Sequence, residues 1–311
     1  MRVVVTGASG FVGGHLVPHL RAQGIEVLTT ARVSSGSGSS TVLGLDDLTS
    51  PEFRAALERS DAVVHLAGAA HRQSHVDSHD SVNHLLTERL ALAASCSGVA
   101  RFVFLSSATV YGNTPRTTVN GNSPVHPIGS YAESKVAAEH ALTAIDQLTQ
   151  MRCVSLRPPV IYGRGVKGNL AMLANHVRRG LPIPVARSNI ERSFLSVTSL
   201  CAAIFASLTS PQPLSGPFAL ADDQPLEIRD LLYGMGRPAG RSPRIVPLPH
   251  RALLAADALA GLLLRRPPLQ PLITPFVIDS SDFRSRTDWT SPFSIEDLEA
   301  SFTSDPSPTI G

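Results

Sequence analysis

The chain has 311 residues and a formal net charge of +2. That length accommodates one large α/β domain or two unequal ones, and near-neutral charge argues against nucleic acid or an anionic membrane as partner. Three scattered cysteines, Cys96, Cys153 and Cys201, argue against a disulfide framework or a cysteine-based zinc site and for a reducing, cytoplasmic setting.

A strand pattern starting at Met1 predicts no signal peptide. Residues 3–5, 26–29, 62–65 and 102–105 read as buried strands, with 154–156, 194–197 and 216–220 as later members. Helical patterns lie between them at 12–23, 51–58, 81–97, 131–147 and 170–179, and Pro18 inside the first predicts a kink or a loss of helix stability. The alternation predicts an α/β fold with a doubly wound parallel sheet. Residues 34–40 read as a Ser/Gly loop. After Asp222 prolines multiply and the alternation fades, which predicts a smaller, mostly helical cap, and 304–311 reads as a flexible tail. No apolar run suffices for a membrane span; the nearest, 252–264, is broken by Asp257 and Gly261 and reads as a packed amphipathic helix.

Two motifs carry chemistry. The first strand ends in Thr6-Gly7-Ala8-Ser9-Gly10-Phe11-Val12-Gly13, and a helix follows at once. Gly7 suits a tight turn, Gly10 lets backbone N–H groups approach a pyrophosphate, and Gly13 lets helix and strand pack closely. The positive end of the helix then faces the phosphates, so this is a dinucleotide-binding turn of the Rossmann type. In the second motif, Ser106-Ser107 ends the fourth core strand, and Tyr131-Ala132-Glu133-Ser134-Lys135 opens a helix. Tyr131 and Lys135 are four apart and share a helical face. A lysine ammonium beside the phenol, together with a positive nicotinamide ring, is expected to lower the tyrosine pKa from about 10 toward neutrality. Ser107 at the strand end can hydrogen-bond the substrate oxygen.

These residues resemble an extended short-chain dehydrogenase/reductase of the nucleotide-sugar epimerase/dehydratase family, over residues 1–302. Val64-His65-Leu66-Ala67-Gly68 and Leu156-Arg157-Pro158-Pro159-Val160-Ile161-Tyr162-Gly163 match further family segments, as does Asp288-Trp289-Thr290-Ser291-Pro292 with Asp297-Leu298 near the end. The resemblance implies Ser107, Tyr131 and Lys135 as the catalytic set. It implies NAD or NADP as cofactor, held by Gly7, Ser9, Gly10, Phe11, Val12, Gly13, Asp47, Leu48, Leu66, Ala67, Gly68, Asn83, Tyr131, Lys135 and Pro158. Asn169 and Arg192 match positions that hold the diphosphate of a nucleotide sugar, and a planar guanidinium suits phosphate oxygens. The implied organisation is a dinucleotide-binding domain over 1–165, rejoined by 191–222, and a substrate-binding cap from 166–190 and 223–303. A homodimer through the helices starting at Ser81 and Tyr131 is also implied.

Departures from the family pattern narrow the reaction. The acidic pair that dehydratases carry after the catalytic hydroxyl is replaced by Ala108-Thr109, which argues against a 4,6-dehydratase. The second strand ends in Ala31-Arg32 rather than an acidic residue, so Arg32 could meet a 2′-phosphate or stack on adenine, and NADP(H) is tolerated or preferred. Ala69-Ala70 stand where hexose 4-epimerases often carry a lysine. Ala31-Arg32 and the missing lysine favour a 4-ketoreductase, with a UDP-hexose 4-epimerase as the alternative; the resemblance, through the run 157–170, implies a nucleotide-activated, UDP-linked hexose in surface-polysaccharide synthesis. A non-catalytic dinucleotide-binding regulator would be expected to lose Tyr131 or Lys135, and both are present. His71, His75 and His79 fall four apart and could align toward zinc, but the segment reads as a loop and helix start, and no metal is expected.

Overall fold

The computed structural model describes residues 1–31, 42–44, 48–68, 80–112, 118–186, 190–249, 251–253, 255, 274–291 and 294–303. Its centre is a parallel sheet of seven strands: β1 (Arg2–Thr6), β2 (Glu26–Ala31), β3 (Val42–Gly44), β4 (Ala62–His65), β5 (Arg101–Leu105), β6 (Arg152–Arg157) and β11 (Gly216–Ala219). They lie in the order β11-β6-β5-β4-β1-β2-β3. The order reverses at β1, which pairs with β2 on one side and β4 on the other. The carboxyl ends of β1 and β4 therefore flank a topological switch point, where open parallel sheets bind their ligands.

Period-two alternation sends successive valines of β1 to opposite faces. Val3 and Val5 join Leu16 and Leu20 of α1 (Phe11–Ala22) and Leu200, Ile204 and Leu208 of a helix at Val197–Thr209. Val4 joins Phe53 and Leu57 of α2 (Pro51–Glu58), Leu90 and Ala94 of α3 (Leu86–Cys96), and Leu142 and Ile145 of α4 (Ser130–Leu148). Both faces are covered, so these strands read as continuous apolar runs. Each such fully buried side chain contributes about 1.5–3 kcal/mol of transfer free energy.

Beyond β6 the chain forms β7 (Val160–Tyr162), α5 (Asn169–Arg178), β8 (Pro182–Ala186), β9 (Glu191–Arg192), β10 (Phe194–Ser196) and α6 (Val197–Thr209). After β11 come β12 (Leu226–Glu227), α7 (Ile228–Gly236), β13 (Arg244–Leu248), α8 (Ser281–Arg286) and α9 (Ile295–Ala300). A second apolar cluster unites Leu170, Leu173 and Val177 of α5 with Leu231, Leu232 and Met235 of α7 and Leu298 of α9. The region after Asp222 also contains strand: β13 pairs in parallel with β8, and β12 pairs antiparallel with β9. Buried Asp222 links the segments, accepting from Tyr162 OH at 2.7 Å, Ser196 N at 3.0 Å and Ser291 Oγ at 2.5 Å.

Three elements differ from the sequence reading. Among the described residues, 194–197 are no part of the main sheet: Phe194–Ser196 pairs with β7, and Val197 starts α6 with Ser196 as its cap. That helix escaped notice because it is apolar around most of its circumference and shows no polar stripe. The helix expected at 81–97 begins as a π-helical turn, Asp80–Leu85, before α3. Pro18 lies inside α1, which runs on to Ala22. Edge strand β3 was unforeseen, being only three residues long. The loop 34–40, most of 252–264 and the tail 304–311 lie outside the described residues. Among those described, no helix is long and apolar enough to cross a membrane.

Candidate active site

The turn after β1 is shaped by its glycines. Gly7 has φ +72°, and a Cβ there would lie 2.7 Å from Ala67 N, so the turn rests directly against the end of β4. A Cβ on Gly13 would lie 2.4 Å from Gly7 O. Gly10 is the N-cap residue of α1, which has no side-chain cap and no acidic residue in its first turn. The orphan amides of that turn, with the positive end of the helix dipole, are suited to phosphate oxygens. Ser9 beside them is exposed, Phe11 half-buried and Val12 buried. Across the switch point, Leu66 N donates to Thr6 O at 3.2 Å and Ala67 N to Thr6 Oγ1 at 3.3 Å, which sets Leu66-Ala67-Gly68 along the same crevice. Leu48 packs on the α2 side of the sheet. This cradle fits a dinucleotide pyrophosphate. Arg32 and Asp47 lie outside the described residues, as do His71, His75 and His79. Among the described residues, no group of three His, Cys, Asp or Glu side chains could hold a metal ion.

Ser107 leaves β5 in extended conformation and caps a 3-10 turn, Ala108–Tyr111. Its Oγ accepts from Thr109 N at 3.2 Å and from Thr109 Oγ1 at 3.0 Å. The next anchor is Pro158, whose carbonyl accepts from Ala108 N at 2.8 Å and ties this turn to the end of β6. Tyr131, in the first turn of α4, is half-buried and hydrogen-bonded to Ser107. Lys135, one turn later, is buried, with Nζ donating to Leu105 O at 2.8 Å and lying 4.5 Å from the Phe104 ring centroid. Asn83 Nδ2 donates to Ser134 Oγ at 3.2 Å. A Cβ on Gly68 would lie 2.8 Å from Asn83 Oδ1 and 3.5 Å from Lys135 Nζ. Three widely separated motifs thus meet at Gly68, Asn83 and Lys135.

Burial pulls the Lys135 ammonium down to about 8, opposed by the Glu139 carboxylate. For Tyr131 burial is the larger influence and pushes the phenol above its ordinary value, while the Ser107 hydrogen bond pulls it back. The lowering expected from Lys135 is therefore not found among the protein's own groups. Buried His65 has Nδ1 2.6 Å from Thr6 Oγ1 and is pushed down to about 3, by burial first and by the Lys135 charge second, so its imidazole is neutral.

Asn169 is the first residue of α5, after Gly168 at φ +71°. Arg192 is buried on β9, with Nη1 donating to Thr274 O at 2.8 Å and its guanidinium 5.1 Å from the Phe276 ring centroid. Its Nε is buried without a hydrogen-bond partner among the described residues, and desolvation lowers its pKa to about 10. A buried cation in this condition calls for an anion. Sequence reasoning missed Ser106, Thr109, Tyr111, Glu139 and Arg157. Glu139 was within reach, since it falls four residues after Lys135 on the same helical face.

Residues 3–218 match the NAD dependent epimerase/dehydratase family. A UDP-glucose 4-epimerase from Vibrio cholerae is 29% identical over 258 residues, spanning 78% of each chain. A dTDP-6-deoxy-L-talose 4-dehydrogenase (NAD(P)(+)) from Kitasatospora kifunensis is 33% identical over 175 residues, 54% of this chain and 55% of that one. Among solved structures, MoeE5 in complex with UDP-glucuronic acid and NAD matches with a TM-score of 0.77 at 21% identity, covering 97% of both chains. The UDP-glucose 4-epimerase of Thermus thermophilus in complex with NAD matches with a TM-score of 0.74 at 26% identity, covering 97% of this chain and 98% of that one.

Proposed function

The chain belongs to the NAD dependent epimerase/dehydratase family, and from that premise we propose that it acts on C4 of a nucleotide-activated, UDP-linked hexose with Tyr131 as acid and base. The observation that carries this reading is the hydrogen-bonded Ser107–Tyr131 pair with Lys135 one helical turn away, beside the switch point of the sheet. Gly7, Ser9, Gly10, Phe11, Val12 and Gly13 would hold the dinucleotide phosphates, Leu48, Arg32 and Asp47 its adenosine end, and Leu66, Ala67, Gly68, Asn83 and Pro158 the nicotinamide half. When bound, the dinucleotide supplies the hydride donor or acceptor.

The protein's own residues supply the rest. Ser107 hydrogen-bonds the C4 oxygen and aligns it with the Tyr131 hydroxyl. In 4-keto reduction, Tyr131 gives its proton to the C4 oxygen as the carbonyl becomes an alcohol, and the Lys135 charge stabilises the phenolate that results. Arg192 and Asn169 grip the diphosphate, and the α5–α7 lobe acts as a cap over the sugar. The 4-ketoreductase reading draws on Arg32 and on the missing lysine at Ala69-Ala70. A second reading, 4-epimerisation, draws on the Vibrio cholerae relative. There Tyr131 removes the C4 hydroxyl proton and later returns it to the C4 oxygen, once the keto sugar has turned to present its other face. A homodimer through α3 and α4 belongs to the same proposal, and Leu92 on α3 is 47% exposed.

The first test is to denature purified protein gently and identify any dinucleotide released, then to offer NADH, NADPH and UDP-hexoses. Retained NAD⁺ with conversion of UDP-glucose to its C4 epimer selects the epimerase. Consumption of NAD(P)H by a UDP-4-keto sugar selects the reductase. Failure to bind either dinucleotide overturns both.

A further inference from the structure

Glu139 lies one turn beyond Lys135 on α4 and is 5% exposed. Both of its oxygens are engaged. Arg157 donates Nε to Oε1 at 2.9 Å and Nη2 to Oε2 at 2.6 Å, and Ser106 Oγ donates to Oε1 at 2.5 Å. Arg157 continues through Nη1 to Tyr111 OH at 3.0 Å and Gly121 O at 3.1 Å. Ser106, Tyr111 and Arg157 all adjoin the catalytic segment. Ser106 precedes Ser107, Tyr111 ends the turn that Ser107 caps, and Arg157 precedes Pro158. A buried ion pair rarely outperforms apolar packing in stability, so energy alone does not account for it.

We propose that Glu139 and Arg157 are positioning residues, which tie the strand end at Ser106 to the helix bearing Tyr131 and Lys135 and place a buried negative charge beside the Lys135 ammonium. The proposal rests on the reading of Tyr131 as the acid–base group. Lys135 Nζ donates to Leu105 O, and Glu139, held by Arg157 and Ser106, acts on it through its field. Lys135 Nζ stays on Leu105 O, 5.9 Å from the Tyr131 ring centroid.

The titratable and charged groups facing Lys135 are Tyr131 and Glu139 from its own helix and His65 from β4, while Arg157, from the end of β6, is held on Glu139. His65 is neutral, and among the groups acting on Lys135 the Glu139 charge favours the protonated form. Of the 27 cationic Lys and Arg side chains only two, Lys135 and Lys167, are lysines. Elsewhere the chain uses arginine, whose charge does not titrate in the working range.

That scarcity makes the test direct. Full-length protein labelled with carbon-13 at the lysine ε position carries two labelled side chains, and exposed Lys167 is the internal reference. In Glu139→Gln the Lys135 titration midpoint should fall by about one pH unit while Lys167 stays put. At neutral pH kcat should drop roughly tenfold with KM for the UDP-sugar within about twofold, and Glu139→Asp should restore most of both. An unmoved Lys135 midpoint overturns the electrostatic role. Ser106→Ala keeps both charges and loses only the tie, so it should lower kcat several-fold with the Lys135 midpoint unchanged; an unchanged kcat overturns the positioning role, and this variant decides if Glu139→Gln does not fold. The titration needs no turnover. A protein inactive on every UDP-sugar but showing the Lys135 shift would sink the proposed reaction and leave the Glu139–Lys135 coupling standing.

Discussion

Tyr131 and Lys135 share one face of α4, with Lys135 Nζ 5.9 Å from the Tyr131 ring centroid and anchored on Leu105 O at 2.8 Å. The lysine is thus fixed by the backbone of β5, the strand that also delivers Ser107. Helix and strand together set the distance between the Tyr131 ring and the Lys135 ammonium. Tyr131→Phe keeps the ring and removes the transferable proton. Turnover should fall by about 10²–10⁴-fold with dinucleotide affinity within about threefold, measured by steady-state kinetics and calorimetric titration. Near-native turnover would show that another group moves the proton.

Arg192 gives a different kind of prediction. Its guanidinium is buried, with Nε unpartnered among the described residues and its charge disfavoured by desolvation. Arg192→Met keeps much of the packing and removes a cation that costs the fold free energy. KM for the UDP-sugar should rise about 10–100-fold, from the loss of charge-assisted hydrogen bonds of about 1.5–3 kcal/mol. The melting temperature should hold or rise. An unchanged KM with a lower melting temperature would make Arg192 structural.

Gly13 is held by space, not by dihedral angle. A methyl group there would lie 2.4 Å from Gly7 O and 2.6 Å from Ala8 Cα, and both are backbone atoms that cannot swing aside. Gly13→Ala should push α1 off the turn, costing at least about 1–3 kcal/mol and most of the dinucleotide affinity. Gly14, one residue on, has no atom within 4 Å of an added Cβ, and Gly14→Ala should be well tolerated. Equal melting temperatures and affinities for the two variants would refute the packing argument.

His65 governs an acid limb of stability. Its folded pKa is depressed to about 3 from an ordinary 6.5, chiefly by burial. At pH 7 the imidazole is neutral folded or unfolded, and nothing is lost. As pH drops below 6.5 the unfolded chain takes up a proton that the folded chain refuses, so stability declines progressively toward pH 3, by roughly 4 kcal/mol in all. His65→Gln lowers stability at pH 7 by removing the Thr6 contact but should flatten this slope. Denaturant unfolding between pH 4 and 7 checks it; parallel slopes in the two proteins would assign the acid limb to other groups.

Much of the candidate site was legible because its motifs are local. The glycine turn lies within eight consecutive residues, and Tyr131 and Lys135 are separated by one helical turn. The core strands were legible because burial on both faces writes them as apolar runs, as in β1 and β4. Helix α6 was missed for the same reason inverted: a helix buried over most of its surface has no amphipathic period to detect. The strand at Phe194–Ser196 was recognised but misplaced, because an apolar run does not say which neighbour it pairs with, and here the partner is β7 rather than the main sheet.

By itself, the sequence determined the glycine turn after the first strand, the parallel α/β alternation and the candidacy of Ser107, Tyr131 and Lys135, since each depends on residue type and spacing along one or two elements. Only the tertiary structure decided that Asn83, Gly68 and Lys135 meet, that Arg192 is a buried cation, and that Arg157 reaches back to Glu139 and Tyr111. Such pairings join residues far apart in the chain through side-chain geometry and desolvation, and both arise only once the sheet and its covering helices have closed.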